Sequence, residues 1–533
     1  MNKKSRLPLI IAISLILGAL IGYTLKPGSD SFGVKINRIS VSDKFNYVLD
    51  YINNDYVDKV DIDSLADKAI ANFLQQLDPH SNYLTSSENR KEQETLSGSF
   101  DGIGIQFRII DDTIVVVQPI ASGPSSKAGV MAGDRIVMVD DSNYAGNGIK
   151  NENVMSLLKG KKGSKVKLGI KRSGVKDLIS FNITRDAIPT FSVDYFGMID
   201  SKTGYIKLSQ FSQTTAKEVN QALRNLKAKG MKNLVFDLRG NGGGYLDQAY
   251  KVTDEFIESG DLIVYTQGRK RGREDLFATS GGLFEKGKII VLIDEFSASA
   301  SEILSGAIQD NDRGLIIGRR TFGKGLVQEQ KFLPDGSAVR LTVSRYHTPS
   351  GRSIQRPYIS GDPDKYFEDF VSRYSHMANG EKDTIPHLDS LKYTTKKGRV
   401  VYGGGGIEPD VELPYTESKM GNYYSQLLRK GLLFKFCFDY ADKHRLEFKK
   451  YSSGEEFINK FVVGDKLINE LVAYANSNGL KKDNSINKDL KEIKLVIKAY
   501  LAQNLFEDKY FYQIYLKIDD DLNKALPYFK SIN

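Results

Sequence analysis

The chain is poor in the residues that most often staple or arm an enzyme. Cys437 is its single cysteine in 533 residues, so no internal disulfide can hold the fold. It lies in the apolar run Leu432-Leu433-Phe434-Lys435-Phe436-Cys437-Phe438, which predicts a buried, inert thiol. Histidine occurs five times, at 80, 347, 376, 387 and 444, and none neighbours a serine-rich motif. That does not exclude a Ser-His-Asp triad, whose members can be far apart in sequence. His347, after the predicted strand Val339–Val343, is the rival base. His80, in Leu77-Asp78-Pro79-His80-Ser81, reads as fixing a turn at a helix end. Residues 411–533 hold no acid pair and no cluster with metal-ligand spacing. The formal charge is +9, but the basic residues are scattered and leave only short runs such as Lys159–Lys162. This implies a mild attraction to anionic surfaces and no nucleic-acid footprint.

What the chain does have begins with an apolar run from Leu7 to Leu25, preceded by Lys3, Lys4 and Arg6. Residues 1–28 read as a membrane anchor, favoured over a cleaved signal peptide because no small-x-small site follows. Either way, basic residues ahead of the run send residues 29–533 across the membrane. The 40% apolar content supports real cores, and the length suggests about three or four domains at roughly 150 residues each.

Residues 36–95 read as helical. Ser42 is the expected cap of a helix carrying Phe45, Val48, Leu49 and Ile52. Ser64 and Asp67 are the expected caps of a second carrying Leu65, Ala69, Ile70, Phe73, Leu74 and Leu77, which Pro79 stops. So much apolar face must pack on something, such as a second subunit. Residues 96–186 turn glycine-dense, with short β-like runs at Gly104–Phe107, Ile114–Val117, Arg135–Val139, Val166–Ile170 and Ile179–Thr184. Residues 187–357 alternate strands (Tyr205–Leu208, Asn233–Leu238, Ile289–Ile293, Leu315–Ile317, Val339–Val343) with helices (Ala216–Lys227, Glu302–Ile308), the pattern of an α/β core. Residues 358–410 read as irregular. Residues 411–533 carry helical stripes, for example Leu490, Ile493, Val496, Ile497 and Leu501.

Chemistry concentrates in two stretches. Phe296-Ser297-Ala298-Ser299-Ala300-Ser301-Glu302-Ile303 places a serine among small residues at a helix start. Thr321-Phe322-Gly323-Lys324-Gly325-Leu326-Val327-Gln328 places a lysine between glycines with apolar neighbours. A serine nucleophile needs a proton acceptor and donors for its oxyanion. A lysine serves as base only when burial lowers its pKa, and the Gln328 amide oxygen can hold its amine. Taken alone, the same residues also fit a helix cap and a surface lysine. Asp237-Leu238-Arg239-Gly240-Asn241-Gly242-Gly243-Gly244 is a glycine loop after a predicted strand, suited to converging amides. It lacks the lysine and Ser/Thr of a phosphate-binding P-loop.

These stretches, with Leu77–Ser81, Phe100-Asp101-Gly102-Ile103-Gly104-Ile105, Gly204–Leu208, Ser297–Asp310 and Tyr346-His347-Thr348-Pro349-Ser350-Gly351-Arg352, occur in the order and spacing of one family over about residues 40–410. The chain resembles the carboxyl-terminal processing proteases, tail-specific enzymes of peptidase family S41 with a PDZ domain. The resemblance implies a multidomain α/β fold: a PDZ-like β-rich domain at 96–186, and an α/β (crotonase-like, ClpP-like) serine protease core at 187–357 completed by 358–410. N-terminal helices and a C-terminal helical extension at 411–533 flank them. It implies Ser299 as nucleophile, Lys324 as general base and Gln328 as its orienter. The oxyanion amides would be those of Ala300 and Gly243, with Gly242 and Gly244 as alternatives to the latter. Gly102, Ile103, Gly104 and Ile105 would receive a peptide carboxylate. No cofactor or metal is implied.

The implied partners are protein substrates bound by flexible C-terminal tails, a second copy in a homodimer, and an envelope adaptor. With the anchor, the implied location is periplasmic, tethered to the inner membrane. Two other classes compete. A non-catalytic or partner-gated PDZ scaffold would be marked by loss of Ser299 or Lys324, and both are present. A penicillin-binding-type hydrolase keeps a lysine three residues after its serine, where this chain has Glu302.

Overall fold

Strands that are apolar on both faces need cover on both faces, and this requirement organises the computed structural model of the chain. It describes residues 6–24, 39–379, 381, 387–415 and 420–532. Residues 1–69 and 70–533 form two separate units.

In the first unit, the apolar run forms α1 (Arg6–Thr24). The basic residues Lys3 and Lys4, and the end of the expected anchor, lie outside the described residues. Among the described residues, no helix is long and apolar enough to cross a membrane. The next helix, α2 (Val41–Asp55), is capped by Ser40, whose Oγ accepts from Asp43 N at 3.1 Å, rather than by Ser42. The cap before α3 (Ile62–Gln75) is Asp61, which accepts from Ser64 N at 3.2 Å, so neither Ser64 nor Asp67 has that role. In both cases an earlier short polar side chain reaches the third amide, the geometry an N-cap requires. Phe45 and Val48 on α2 are exposed.

The second unit opens with β1 (Asn82–Leu84) and α4 (Ser86–Leu96), capped by Thr85 with Glu88 in a reciprocal box. Then come β2 (Ser99–Gly102), β3 (Ile105–Ile110), β4 (Thr113–Pro119), α5 (Pro124–Ala128), β5 (Arg135–Val139), β6 (Ser142–Asn143), α6 (Asn151–Leu158), β7 (Lys165–Lys171), β8 (Ile179–Thr184) and β9 (Asp186–Pro189). The small sheet runs β3-β4-β5-β7-β8, so β3 is an edge, and β2 pairs with β9. Ile103, Ile114, Val116, Val154, Val166, Leu168 and Ile170 form its core.

The central sheet comprises β10 (Val193–Met198), β11 (Thr203–Leu208), β12 (Asn233–Asp237), and, after β13 (Leu262–Gln267) and β14 (Glu274–Phe277), β15 (Lys288–Ile293) and β16 (Leu315–Gly318). Its order is β10-β11-β12-β15-β16, closed by a short last strand at Val411–Glu412, and β11 onward are parallel. Leu234, Phe236, Ile289, Val291 and Ile293 face helices α7 (Thr215–Ala228), α8 (Leu246–Asp254) and α9 (Ala300–Asp310). The alternate residues Val235, Ile290, Leu292 and Ile317 face Leu516, Leu522, Ala525 and Phe529 at the far C-terminus. The C-terminal segment thus covers the second face of the central sheet. Truncating fully buried Leu522 to alanine would cost about 2–5 kcal/mol.

A second sheet pairs β17 (Leu326–Phe332) with β18 (Ala338–His347), and β18 in turn with β1 and β13. Val339–Val343 therefore belongs to this antiparallel sheet and not to the central one. The segment read as irregular contains α10 (Pro363–Ala378), started by Asp362 and a first-turn proline. The C-terminal helices are α11 (Asn422–Arg429), α12 (Leu432–Lys443), α13 (Arg445–Phe448), α14 (Gly454–Lys460), α15 (Asp465–Ser477), α16 (Leu490–Leu505), α17 (Asp508–Tyr515) and α18 (Asp520–Ala525). Cys437 is fully buried there, and burial pushes its thiol up.

Candidate active site

The small-residue turn ends β15 and enters α9 through Ser299, which sits at φ 55° and ψ −112°. Positive φ in a non-glycine residue marks strain held by its surroundings. Here the holder is Glu302, fully buried in the first turn of α9. Its Oε2 accepts from Ser299 N at 2.7 Å and from Lys324 N at 2.8 Å. Its Oε1 accepts from Gly323 N at 2.8 Å and from Thr321 Oγ1 at 2.6 Å. Burial raises its carboxyl to about 7, against the pull of these hydrogen bonds. The Tyr346 hydroxyl closes the arrangement, 2.6 Å from the Lys324 carbonyl oxygen and 3.0 Å from that of Ser299.

Lys324 precedes β17, and its amine donates to Gln328 Oε1 at 3.0 Å. Burial, then the charge of Arg340, lowers its pKa to about 8. Gln328 is in turn fixed, since its Nε2 donates to the His80 carbonyl at 2.5 Å. The His80 turn is locked by Asp78, which accepts from His80 N, Ser81 N and Ser81 Oγ, while Ser81 Oγ accepts from Thr342 N on β18. Burial, then Lys324, lowers the His80 ring to about 3, so it stays neutral. Among the described residues no hydrogen bond joins Ser299 Oγ to the Lys324 amine.

The glycine loop leaves β12 and folds against the serine turn. Ala298 N and Ser301 Oγ both donate to the Asn241 carbonyl, at 3.0 and 2.8 Å. Gly243 has φ 105°, and a Cβ there would lie 2.8 Å from Ala298 O and 3.0 Å from Ala300 N, so only glycine fits. The Gly243 amide, expected as an oxyanion donor, is engaged by Asn241 Oδ1 at 2.9 Å. Ala300 opens α9, where amides have no partner within the helix.

His347 stands apart from this group. Tyr346 points to the Ser299 and Lys324 carbonyls, so its strand neighbour faces the other way. The His347 ring stacks on Tyr265 at 4.6 Å. Of the four expected carboxylate-binding residues, Gly102 ends β2, Ile103 and Gly104 form the turn, and Ile105 opens edge strand β3. Gly104 turns at φ 72°, Ile103 is buried, and the Ile103 carbonyl accepts from Ser125 N and Ser125 Oγ. The sequence reading places a turn at Leu77–Ser81 but gives its fixing to His80 rather than Asp78, and it assigns no role to Glu302 or Tyr346. Ser-x-x-Glu is a capping-box pattern, and that was the available signal for Glu302.

Comparison with known proteins identifies the family of two regions of the chain. Peptidase family S41 matches residues 202–364, and a PDZ domain matches 102–183. A family of unknown function (DUF8443) matches 423–507. The carboxy-terminal processing protease CtpA of Bacillus subtilis is 35% identical over 401 residues, spanning 75% of this chain and 82% of that one. A carboxy-terminal-processing protease of Bartonella bacilliformis is 39% identical over 383 residues, or 69% and 86% of the two chains. Among solved structures, the photosystem II D1 C-terminal processing protease is 27% identical, covers 70% of this chain and 86% of its own, and superposes with a TM-score of 0.36. With an S41 catalytic region behind a PDZ domain, and relatives matched over most of their length, the chain belongs to the carboxy-terminal processing proteases, serine-type endopeptidases of family S41.

Proposed function

We propose that Ser299 and Lys324 form the catalytic dyad, that Gln328 orients the lysine, and that the substrates are envelope proteins recognised by their C-terminal tails. The observation that carries this reading is the Lys324 amine: buried, lowered to about 8, and aimed by a glutamine itself anchored on the His80 carbonyl. A lysine so placed can be neutral at working pH.

In this reading the substrate tail adds as a strand beside β3, with its carboxylate on the amides of Gly102–Ile105. An upstream peptide bond reaches Ser299. Lys324 takes the hydroxyl proton as Oγ attacks the carbonyl, and the Ala300 amide at the start of α9 receives the oxyanion. Protonated Lys324 then gives its proton to the leaving amine. Water, deprotonated by the same lysine, releases the acyl group. The Gly243 amide joins as second donor once it leaves Asn241 Oδ1. The Gly243 amide held by Asn241 Oδ1 supports reading this conformation as a resting one, with tail binding assembling the site.

The basic residues before α1 and its apolar sequence support export and tethering at the inner membrane. The exposed apolar residues of α2 support pairing with a second copy, and an envelope adaptor would be a further partner. Mass spectrometry of enzyme quenched during turnover tests the chemistry: an acyl adduct on Ser299 is expected, and an adduct on another residue would overturn the assignment. Amidating the substrate C-terminus should slow cleavage, and an unchanged rate would overturn tail recognition.

A further inference from the structure

Arg239 is the residue at which the glycine loop leaves β12, and its guanidinium is gripped from two sides. Asp237 accepts from its Nη2 at 2.6 Å and from its Nε at 3.1 Å. On the other side Asp519, from the C-terminal helical region, takes it in a fork: Nη1 to Oδ1 at 3.0 Å and Nη2 to Oδ2 at 2.6 Å. Two-pronged pairing of this kind fixes orientation as well as charge. Asp519 is also the N-cap of α18, its Oδ1 accepting from Leu522 N at 3.1 Å. Two residues on, Asp521 accepts from Arg319 Nη1 at 3.0 Å. Arg319 directly follows β16, at the head of the segment that carries Lys324. Both loops of the site therefore start from arginines held by one helix end of the C-terminal region.

The hold on the glycine loop passes on to the serine turn. After Arg239, Gly240 N donates to Asp294, and the Asn241 carbonyl receives Ala298 N and Ser301 Oγ. The close fit of Gly243 against Ala300 N leaves little room for drift. The same helical region also grips the PDZ domain. Arg108 of β3 lies 3.5 Å from the Phe434 ring centre, and Arg135 pairs with Asp442 at 3.3 Å.

We infer that Asp519 is a positioning residue of the protease: through Arg239 it sets the glycine loop against Ser299, making the C-terminal helical region a working part of the catalytic site. This rests on Ser299 and the glycine loop acting as proposed above. Asp519 acts through Arg239, which it grips at 3.0 and 2.6 Å. Its effect should therefore fall on the chemical step, since a misplaced oxyanion loop lowers transition-state stabilisation with little change in ground-state binding.

The test uses the full chain and an unfolded protein substrate, comparing wild type with Asp519→Asn, Asp519→Glu, Asp465→Asn and Ser299→Ala. Asparagine caps a helix about as well as aspartate, so Asp519→Asn removes the charge and keeps α18. It should lower kcat at least tenfold with KM within twofold, and Asp519→Glu should recover part of the loss. Asp465 pairs with Lys494 at the exposed start of α15, so Asp465→Asn should keep kcat. An unchanged kcat in Asp519→Asn, or an equal fall in Asp465→Asn, would overturn the inference and leave a purely structural role. Activity persisting in Ser299→Ala would instead overturn the reading of the site on which it rests.

Discussion

Ser299 and Lys324 donate their backbone N–H groups to the same oxygen, Oε2 of Glu302, at 2.7 and 2.8 Å. The proposed nucleophile and the proposed base are thus spaced by one buried carboxylate. Glu302→Gln replaces one acceptor oxygen with a donor, so two donors lose their partner, either the Ser299 and Lys324 amides or the Gly323 amide and the Thr321 hydroxyl, at about 1–3 kcal/mol each. The variant should melt several degrees lower and lose most of its kcat. A thermal scan paired with the cleavage assay checks both, and a fully active variant would show that the shared oxygen is dispensable.

Only the neutral lysine is a base, and burial sets its pKa at about 8. Roughly one-tenth of Lys324 is then neutral at pH 7 and roughly nine-tenths at pH 9. The kcat/KM profile should therefore rise through an inflection near pH 8. The linkage has the same sign: between about 8 and the ordinary 10.5, the unfolded chain holds a proton that the folded chain has released, so this group adds stability as pH rises there. Gln328→Glu places a negative charge beside the amine and should move the inflection upward by about a unit.

Strain at Ser299 can be measured apart from catalysis. Its φ of 55° is costly for any residue with a Cβ and free for glycine. Ser299→Gly should be about 1 kcal/mol more stable than Ser299→Ala, with both inactive. Denaturant melts would check the order, and the reverse order would remove the strain from the account.

At Gly243 an added methyl would meet Ala298 O at 2.8 Å and Ser299 Cβ at 2.9 Å. Neither can yield without moving Ser299. Gly243→Ala should reduce kcat on the order of a hundredfold, read in the same cleavage assay.

Some of this was legible in the sequence. Strands such as Asn233–Asp237 and Lys288–Ile293 are apolar on both faces and short, so pattern alone finds them. Helix α10 was missed because its aromatic residues Tyr366, Phe367 and Phe370 are interleaved with charges, although Asp362-Pro363 marks its start. Hairpin β17–β18 is half polar along its length, which hid its reach into a second sheet. In the site, the serine and lysine stretches stood out as motifs of small residues and glycines. Glu302 did not, because Ser-x-x-Glu is satisfied by an ordinary helix start. Asp519 lies 280 positions from Arg239, and no local pattern announces a pairing at that range.

The most direct test of the dyad is cleavage of an unfolded protein with a free apolar C-terminus by wild type, Ser299→Ala and Lys324→Ala. The account predicts cleavage by wild type and losses of at least about a thousandfold in both variants. Activity surviving in Lys324→Ala would contradict it, since a base other than Lys324 would then be taking the serine proton.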